Sequence, residues 1–285
     1  MSGRIWFEAL AGTARVSGSA TVRVADAGLG DELARFIAVV PDANNRFPRA
    51  RHGEVGLEEA WTIAKAVREL LCEHGATTGA NTPSGAAATQ GSLAPRVRAR
   101  PIVAVVDVTS QAYGSREELL GIHLACAAAS DAYASARWSG HPVIALLVGK
   151  AMSGAFLAHG YQANRIVALD SPNVMVHAMG KQAAARVTRR PVEELEELGE
   201  RFAPMSYTVR AFAALGLVHK LVTDVSAESP TAADVERVRG DLIEAVIDAR
   251  RGERDLSSRL ANAAAARTRA ASLEVRRRLA ERWDV

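Results

Sequence analysis

Residues 141–156 read HPVIALLVGKAMSGAF. The stretch Val143–Val148 is an unbroken apolar run, too short for a core helix, so it reads as a strand buried on both faces. Gly149, Lys150 and a set of small residues follow, and the segment then takes on helical character from Met152 through Ala163. A buried strand passing through a short turn into a helix is the building unit of a parallel sheet with helical crossovers.

Working outward, the same unit recurs. Residues 35–42 (RFIAVVPD) read as a strand ended by proline and two asparagines, and LEEAWTIAKAVRELLCEHG follows as a helix closed by a terminal glycine. Residues 101–108 (PIVAVVDV) read as a second buried strand, and one long alanine-rich helix is expected over 117–140. RIVALD and NVMVHAMG read as two further strands around an SPN turn. Alternation in the latter puts Val174, Val176 and Ala178 on one face and Met175, His177 and Met179 on the other. Beyond 191 the whole chain reads as helical. Residues 75–100 are rich in glycine, alanine, threonine and serine without periodicity, and are expected to form a mobile surface insertion in a single α/β domain spanning 1–285.

The composition narrows the function classes. The net charge is +3 over 285 residues, and aromatic residues make up only 5%, so no stacking platform for nucleic acid is expected. No apolar run approaches the roughly 20 residues that span a bilayer, and the N-terminus lacks the apolar stretch of a signal peptide. Cys72 and Cys126 are the only cysteines. They read as buried thiols of a cytoplasmic protein, and two cysteines cannot make a cysteine-based zinc site.

Three kinds of chemistry compete for the turn GKAMSGAF at 149–156. A phosphate cradle of the G-x-x-x-x-G-K-[ST] type fails, because Lys150 precedes Gly154 and no hydroxyl follows it directly. A serine nucleophile would sit at Ser153, but the flanks are Ala151 and Ala155 where a nucleophile elbow has glycines. The third reading needs only the main chain of Met152, Ser153 and Gly154: a helix starting at a strand end aims N–H groups at one point, where an oxyanion can be held. A second small, polar turn lies in VVDVTSQAYGSREE at 105–118, with Ala112, Tyr113 and Gly114 at its centre. Ser115 and Glu118 fit a capping box for the helix that follows.

At these two turns the sequence resembles the crotonase-like superfamily, in its carboxyltransferase and thioester-decarboxylase branch. It is most similar to the gamma subunits of biotin-independent malonate decarboxylases. WFEALAG (6–12), RHGEVGLEEAW (51–61), the block 141–190 and LGLVHKLV (215–222) carry the resemblance, which covers nearly the whole chain except 75–100. The family implies a spiral of ββα units and pairing with a related beta subunit. It implies decarboxylation of malonyl groups held as thioesters on an acyl carrier protein with a CoA-like prosthetic group, a separate alpha subunit exchanging acetyl for malonyl, and no cofactor bound directly. The residues agree on one point: between Leu119 and Val192 there is no glutamate, and the aspartates are Asp131 and Asp170. Hydratases of the superfamily handle water with glutamates near the second turn, whereas decarboxylation through an enolate needs aligned N–H donors. Tyr113, His177 or a water is then the acid that protonates the carbanion, with His177 equally readable as a core histidine. Arg46, Arg49 and Arg51 are candidates for holding the prosthetic group's phosphates or acids of the carrier, or are ordinary surface arginines. A biotin-dependent carboxyltransferase and a catalytically silent scaffold subunit are the alternatives.

Overall fold

In the computed structural model residues 1–78 and 98–283 are described, so most of the expected insertion at 75–100 lies outside the described residues. The chain opens with helix α1 (Ser2–Ala11) and a three-stranded antiparallel meander, β1 (Val16–Gly18), β2 (Val22–Leu29) and β3 (Glu32–Val39). The first two of these strands are not legible in the sequence, where serine and glycine interrupt the alternation. Helix α2 (Leu57–Thr78) continues past Gly75, so that glycine does not end it. Then come β4 (Ile102–Val108), the short α3 (Ser115–Leu119), α4 (Ile122–Trp138), β5 (Val143–Met152), the six-residue α5 (Ser153–Ala158), β6 (Arg165–Leu169) and β7 (Met175–His177). The expected single helix over 117–140 is broken because Gly121 adopts φ 81°, a conformation that costs glycine little and interrupts the helical ladder. The last part holds α6 (Lys181–Thr188), α7 (Val192–Arg201), α8 (Val209–Ala214), β8 (Lys220–Val222), α9 (Ala232–Arg251), α10 (Ala263–Thr268) and α11 (Ala270–Trp283). Beyond 191 its regular elements are helical as expected except for β8, which adds a parallel strand beside β6.

The sheet runs β1-β2-β3-β4-β5-β6-β8, parallel from β3 onward, and β7 pairs with the far end of β5. Every residue of β4 is buried, as a central strand covered on both faces must be. Helices α1 and α9 pack together on the sheet, and α2 packs on α4. A reciprocal capping box fixes the start of α9: Asp234 N–H donates to Thr231 Oγ1 at 3.1 Å, and Thr231 N–H donates to Asp234 Oδ2 at 2.8 Å. The two thiols are free, but they are not core residues: Cys72 is exposed and Cys126 half-buried.

One irregularity controls the centre. Between Val106 and Val108 of β4 the pairing with β5 jumps from Val106↔Leu147 to Val108↔Ala151. The intervening Asp107 is buried, and its carboxylate accepts Lys150 N–H at 3.0 Å and Gly3 N–H of α1 at 3.0 Å. Gly149 lies against this carboxylate so closely that a Cβ there would sit 2.1 Å from Asp107 Oδ1.

Deeper in the core, His159 is fully buried between the Tyr133 hydroxyl, 3.0 Å from Nδ1, and the Val105 carbonyl, 3.1 Å from Nε2. The carbonyl can only accept, so Nε2 carries the proton and Nδ1 accepts from Tyr133. Burial pushes the His159 pKa down to about 4. Above the unfolded value near 6.5 both states are neutral; below it the unfolded chain binds the proton first, so folding stability falls as pH drops from about 6.5 towards 4. Urea unfolding at pH 7 and pH 5 should therefore differ by about 2 kcal/mol from this residue. The pH-dependent part should shrink by that amount in His159→Gln.

Candidate active site

The two turns singled out in the sequence lie at the ends of adjacent parallel strands, β4 and β5, and touch. Ser153, the first residue of α5, adopts φ 57°, a left-handed conformation that a non-glycine side chain takes at a cost of about 1–2 kcal/mol. Its Oγ lies 3.0 Å from the Ala178 carbonyl and 3.0 Å from Tyr113 Oη. The carbonyl can only accept, so the single serine proton goes to Ala178 and Tyr113 donates to Ser153. A nucleophilic serine needs a base on that proton. Here a main-chain carbonyl holds it instead, which counts against the nucleophile reading.

Gly154 N–H donates to Gln111 Oε1 at 2.7 Å. Gln111 belongs to the first turn, so that turn sends two side chains, Gln111 and Tyr113, to the second. The loop beneath them is stitched to the segment before α2: Thr109 N–H donates to Gly53 O at 3.1 Å, Val55 N–H to Ser110 O at 2.9 Å, and Ala112 N–H to Val55 O at 2.9 Å. Ala112 is buried and its N–H is committed, so it is not an oxyanion donor here. The N–H groups of Tyr113 and Gly114 have no hydrogen-bond partner among the described residues. Gly114, rather than Ser115, is the N-cap of α3, and no side-chain cap forms; the expected capping box is absent because the helix starts one residue earlier than the box requires.

The arginines divide. Arg49 Nε lies 3.8 Å from the carboxylate of buried Glu117, and a Cβ on Gly114 would meet that Nε at 2.6 Å, so Arg49 stands directly beside the first turn. Arg46 is held by Glu58 at 3.2 Å and lies over the Phe47 ring, and Arg51 donates to Asn45 O at 2.9 Å. Arg46 is thus engaged by the first turn of α2 and Arg51 by its own loop. Fully buried Glu59 fastens that loop, accepting from Thr21 Oγ1 at 2.6 Å, Asn45 Nδ2 at 2.9 Å and Gly56 N at 3.0 Å. Its burial raises the carboxyl pKa against the opposing effect of those hydrogen bonds.

Clefts open on both sides of Gly154. The larger, about 480 Å³, is lined mainly by apolar groups, including Phe156, Leu157, Val176, Met205 and Phe212, with His177 on its wall and no carboxylate among its lining residues. His177 stacks face to face on Tyr207 at 3.9 Å, with Nδ1 against the main chain of Met179. Burial lowers its pKa, which keeps it neutral at pH 7. Val174, just before the strand, and Val176 within it are buried, but Ala178 is exposed because the strand stops at His177. The smaller cleft, about 310 Å³, is lined by Gln111, Glu118, His123, Cys126, Gly154 and Leu157 among others. Burial, with Glu118 nearby, pushes the Cys126 thiol up to about 11, so this sulfur is not a nucleophile. Sequence reasoning missed Gln111 and His123, the latter lying inside one continuous expected helix, and assigned Glu118 only to a capping box. No cluster of His, Cys, Asp and Glu suited to a metal occurs among the described residues, and no described helix is long and apolar enough to cross a membrane.

Comparison with known proteins places this arrangement. Residues 50–283 match the family described as malonate decarboxylase gamma subunit. Two crystal structures of a Pseudomonas malonate decarboxylase contain a chain 52% identical to this one, with 99% of both chains covered. One is a hetero-tetramer in complex with coenzyme A (TM-score 0.86), the other an MdcD-MdcE hetero-dimer (TM-score 0.83). A malonyl-S-ACP:biotin-protein carboxyltransferase of Malonomonas rubra is 34% identical over 204 residues; the match covers 71% of this chain and 64% of that protein, less than two thirds of its length. A transcarboxylase 12S structure, 19% identical with a TM-score of 0.61, covers 88% of this chain and 42% of that one, and shares the crotonase-like carboxyltransferase fold. With four fifths of its length inside the family match and both strand-end turns in place, the chain belongs to the malonate decarboxylase gamma-subunit family.

Proposed function

We propose that this chain, paired with a related beta subunit, decarboxylates a malonyl thioester to an acetyl thioester. The observation that carries the reading is the contact between the two strand-end turns, Gln111–Gly114 and Ser153–Gly154, beside a cleft lined without carboxylates. In the reaction the bond between the malonyl methylene and its carboxylate carbon breaks, CO₂ leaves, and the electron pair moves into the thioester as an enolate. Main-chain N–H groups near Gly154, with those of Tyr113 and Gly114 opposite, hold the enolate oxygen and favour the transition state over the ground state. A proton then returns to the carbanion carbon from Tyr113, His177 or a water. The apolar walls keep water from the charge as it develops, which strengthens each of these dipoles.

The acyl group arrives, in this reading, on the CoA-like arm of an acyl carrier protein subunit, and a separate alpha subunit exchanges acetyl for malonyl. Arg49, beside the first turn, is the arginine of the three best placed to meet a phosphate of that arm. Helix α11 has no buried residue and exposes Val275, Leu279 and Trp283; the beta subunit is the proposed cover for such apolar surface. The Malonomonas relative supports a second reading, carboxyl transfer from the malonyl thioester to biotin on a partner protein. Avidin separates the two, since it blocks transfer to biotin and leaves direct decarboxylation untouched.

The isolated chain should be inactive, and activity on a malonyl thioester should appear only with the beta subunit. A monomer by light scattering that releases CO₂ unaided contradicts the pairing. Within the complex, Ser153→Ala keeps the main-chain donors and should retain most of the turnover. Gly154→Val places a branched side chain where even a Cβ meets Gln111 Oε1 at 2.3 Å, and should lose on the order of 10²–10³-fold in kcat with the complex still assembled. Steady-state CO₂ release, with circular dichroism as the folding control, checks both; a folded but dead Ser153→Ala would return the serine to a chemical role.

A further inference from the structure

Gly154 N–H is the donor that the proposed reaction needs, and it is already occupied. An N–H cannot face an amide NH₂, so the 2.7 Å contact fixes the Gln111 side chain with Oε1 towards Gly154. Oε1 is an sp² carbonyl oxygen, the same kind of acceptor as a thioester oxygen, and it accepts that N–H. The main chain of Gln111 is bridged to Val55, so the loop is held, while its half-buried side chain borders the smaller cleft of about 310 Å³ into which it can rotate.

We propose that Gln111 is a gate on the oxyanion site: its side-chain oxygen stands in for the thioester oxygen in the unloaded subunit and must swing aside for the acyl group to bind. This rests on the reading above that Gly154 N–H receives the thioester oxygen. A ground-state thioester exchanges one neutral hydrogen bond for another and gains little from Gly154, whereas the enolate oxygen carries charge and makes a bond roughly twice as strong. The cost of opening the gate is the same for the bound thioester and for the enolate, so the gate weakens thioester binding and leaves the barrier from the bound complex unchanged, while the stronger bond to the enolate is what lowers that barrier. The gate also gives the Gly154 N–H a partner between turnovers.

The experiment compares acetyl-coenzyme A with coenzyme A, which lacks the acyl carbonyl, by calorimetric titration of the assembled complex with its beta subunit. Removing the competing oxygen in Gln111→Ala, or in the near-isosteric Gln111→Met, should tighten acetyl-coenzyme A by about 3–10-fold and leave coenzyme A unchanged. Gln111→Glu makes the competitor a charged acceptor and should weaken acetyl-coenzyme A by tenfold or more. A purely structural glutamine, or one that donates to substrate through its NH₂, predicts weaker binding in all three variants, and that result overturns the gate. Malonyl thioester turnover by the wild-type complex is measured alongside. Turnover with no tightening in the Ala and Met variants removes the gate alone, and absence of turnover removes the functional reading and the gate together.

Discussion

The arrangement of the site depends on the buried carboxylate of Asp107. It sits where the register of β4 against β5 jumps, and it takes up two main-chain N–H groups, of Lys150 and Gly3, that would otherwise be left without partners. An orphaned buried donor costs about 1–3 kcal/mol, so the irregular path of β5 depends on this side chain. Before the jump β5 pairs with β6, through Ile144–Leu147; after it β5 pairs with β7, through Lys150–Met152. The switch of neighbour directs the strand end away from the sheet and delivers Ser153 and Gly154 to the site. Gly3 ties the first helix to the same point, so the N-terminus helps to hold the second turn although it lies 150 residues away in sequence.

Two kinds of rigidity meet at the turns. The first turn is held from below by main-chain bonds from Gly53, Ser110 and Ala112, and by Glu59, whose three hydrogen bonds fix the loop that carries the arginines. The second turn is held by Ser153, whose left-handed backbone is stabilised by the bonds of its hydroxyl to Ala178 and Tyr113. Strain of this kind persists where the surroundings over-determine it, and such places are often functional. The serine therefore shapes the turn. Its hydroxyl proton is committed to a carbonyl, and the chemistry falls to the main chain around it.

Much of this was legible in the chain. The largely apolar runs within 35–42, 101–108 and 143–148 gave the central strands, because strands buried on both faces are apolar over most of their length. Both turns were visible as small, polar, glycine-containing breaks after those strands. What escaped was set by contacts remote in sequence. The strands β1 and β2 lack strict alternation and are recognisable only beside β3. Gly121 divides what periodicity joins into one helix, since a single glycine inside a helical pattern is compatible with either outcome until its φ is known. Cys72 sits among apolar residues yet faces outward, because the face of α2 that is buried is chosen by α4.

The sequence by itself determined the fold class, the family and the position of the two turns, since these rest on local periodicity and contiguous motifs. Only the tertiary structure decided which donors are free. Ala112 N–H is spent on Val55, Gly154 N–H on Gln111, and Gly149 is glycine because Asp107 occupies the space of its Cβ. Each of these joins segments 40 or more residues apart. Hydrogen-bond satisfaction of this kind is a property of assembled neighbours in three dimensions, and no spacing along one chain encodes it.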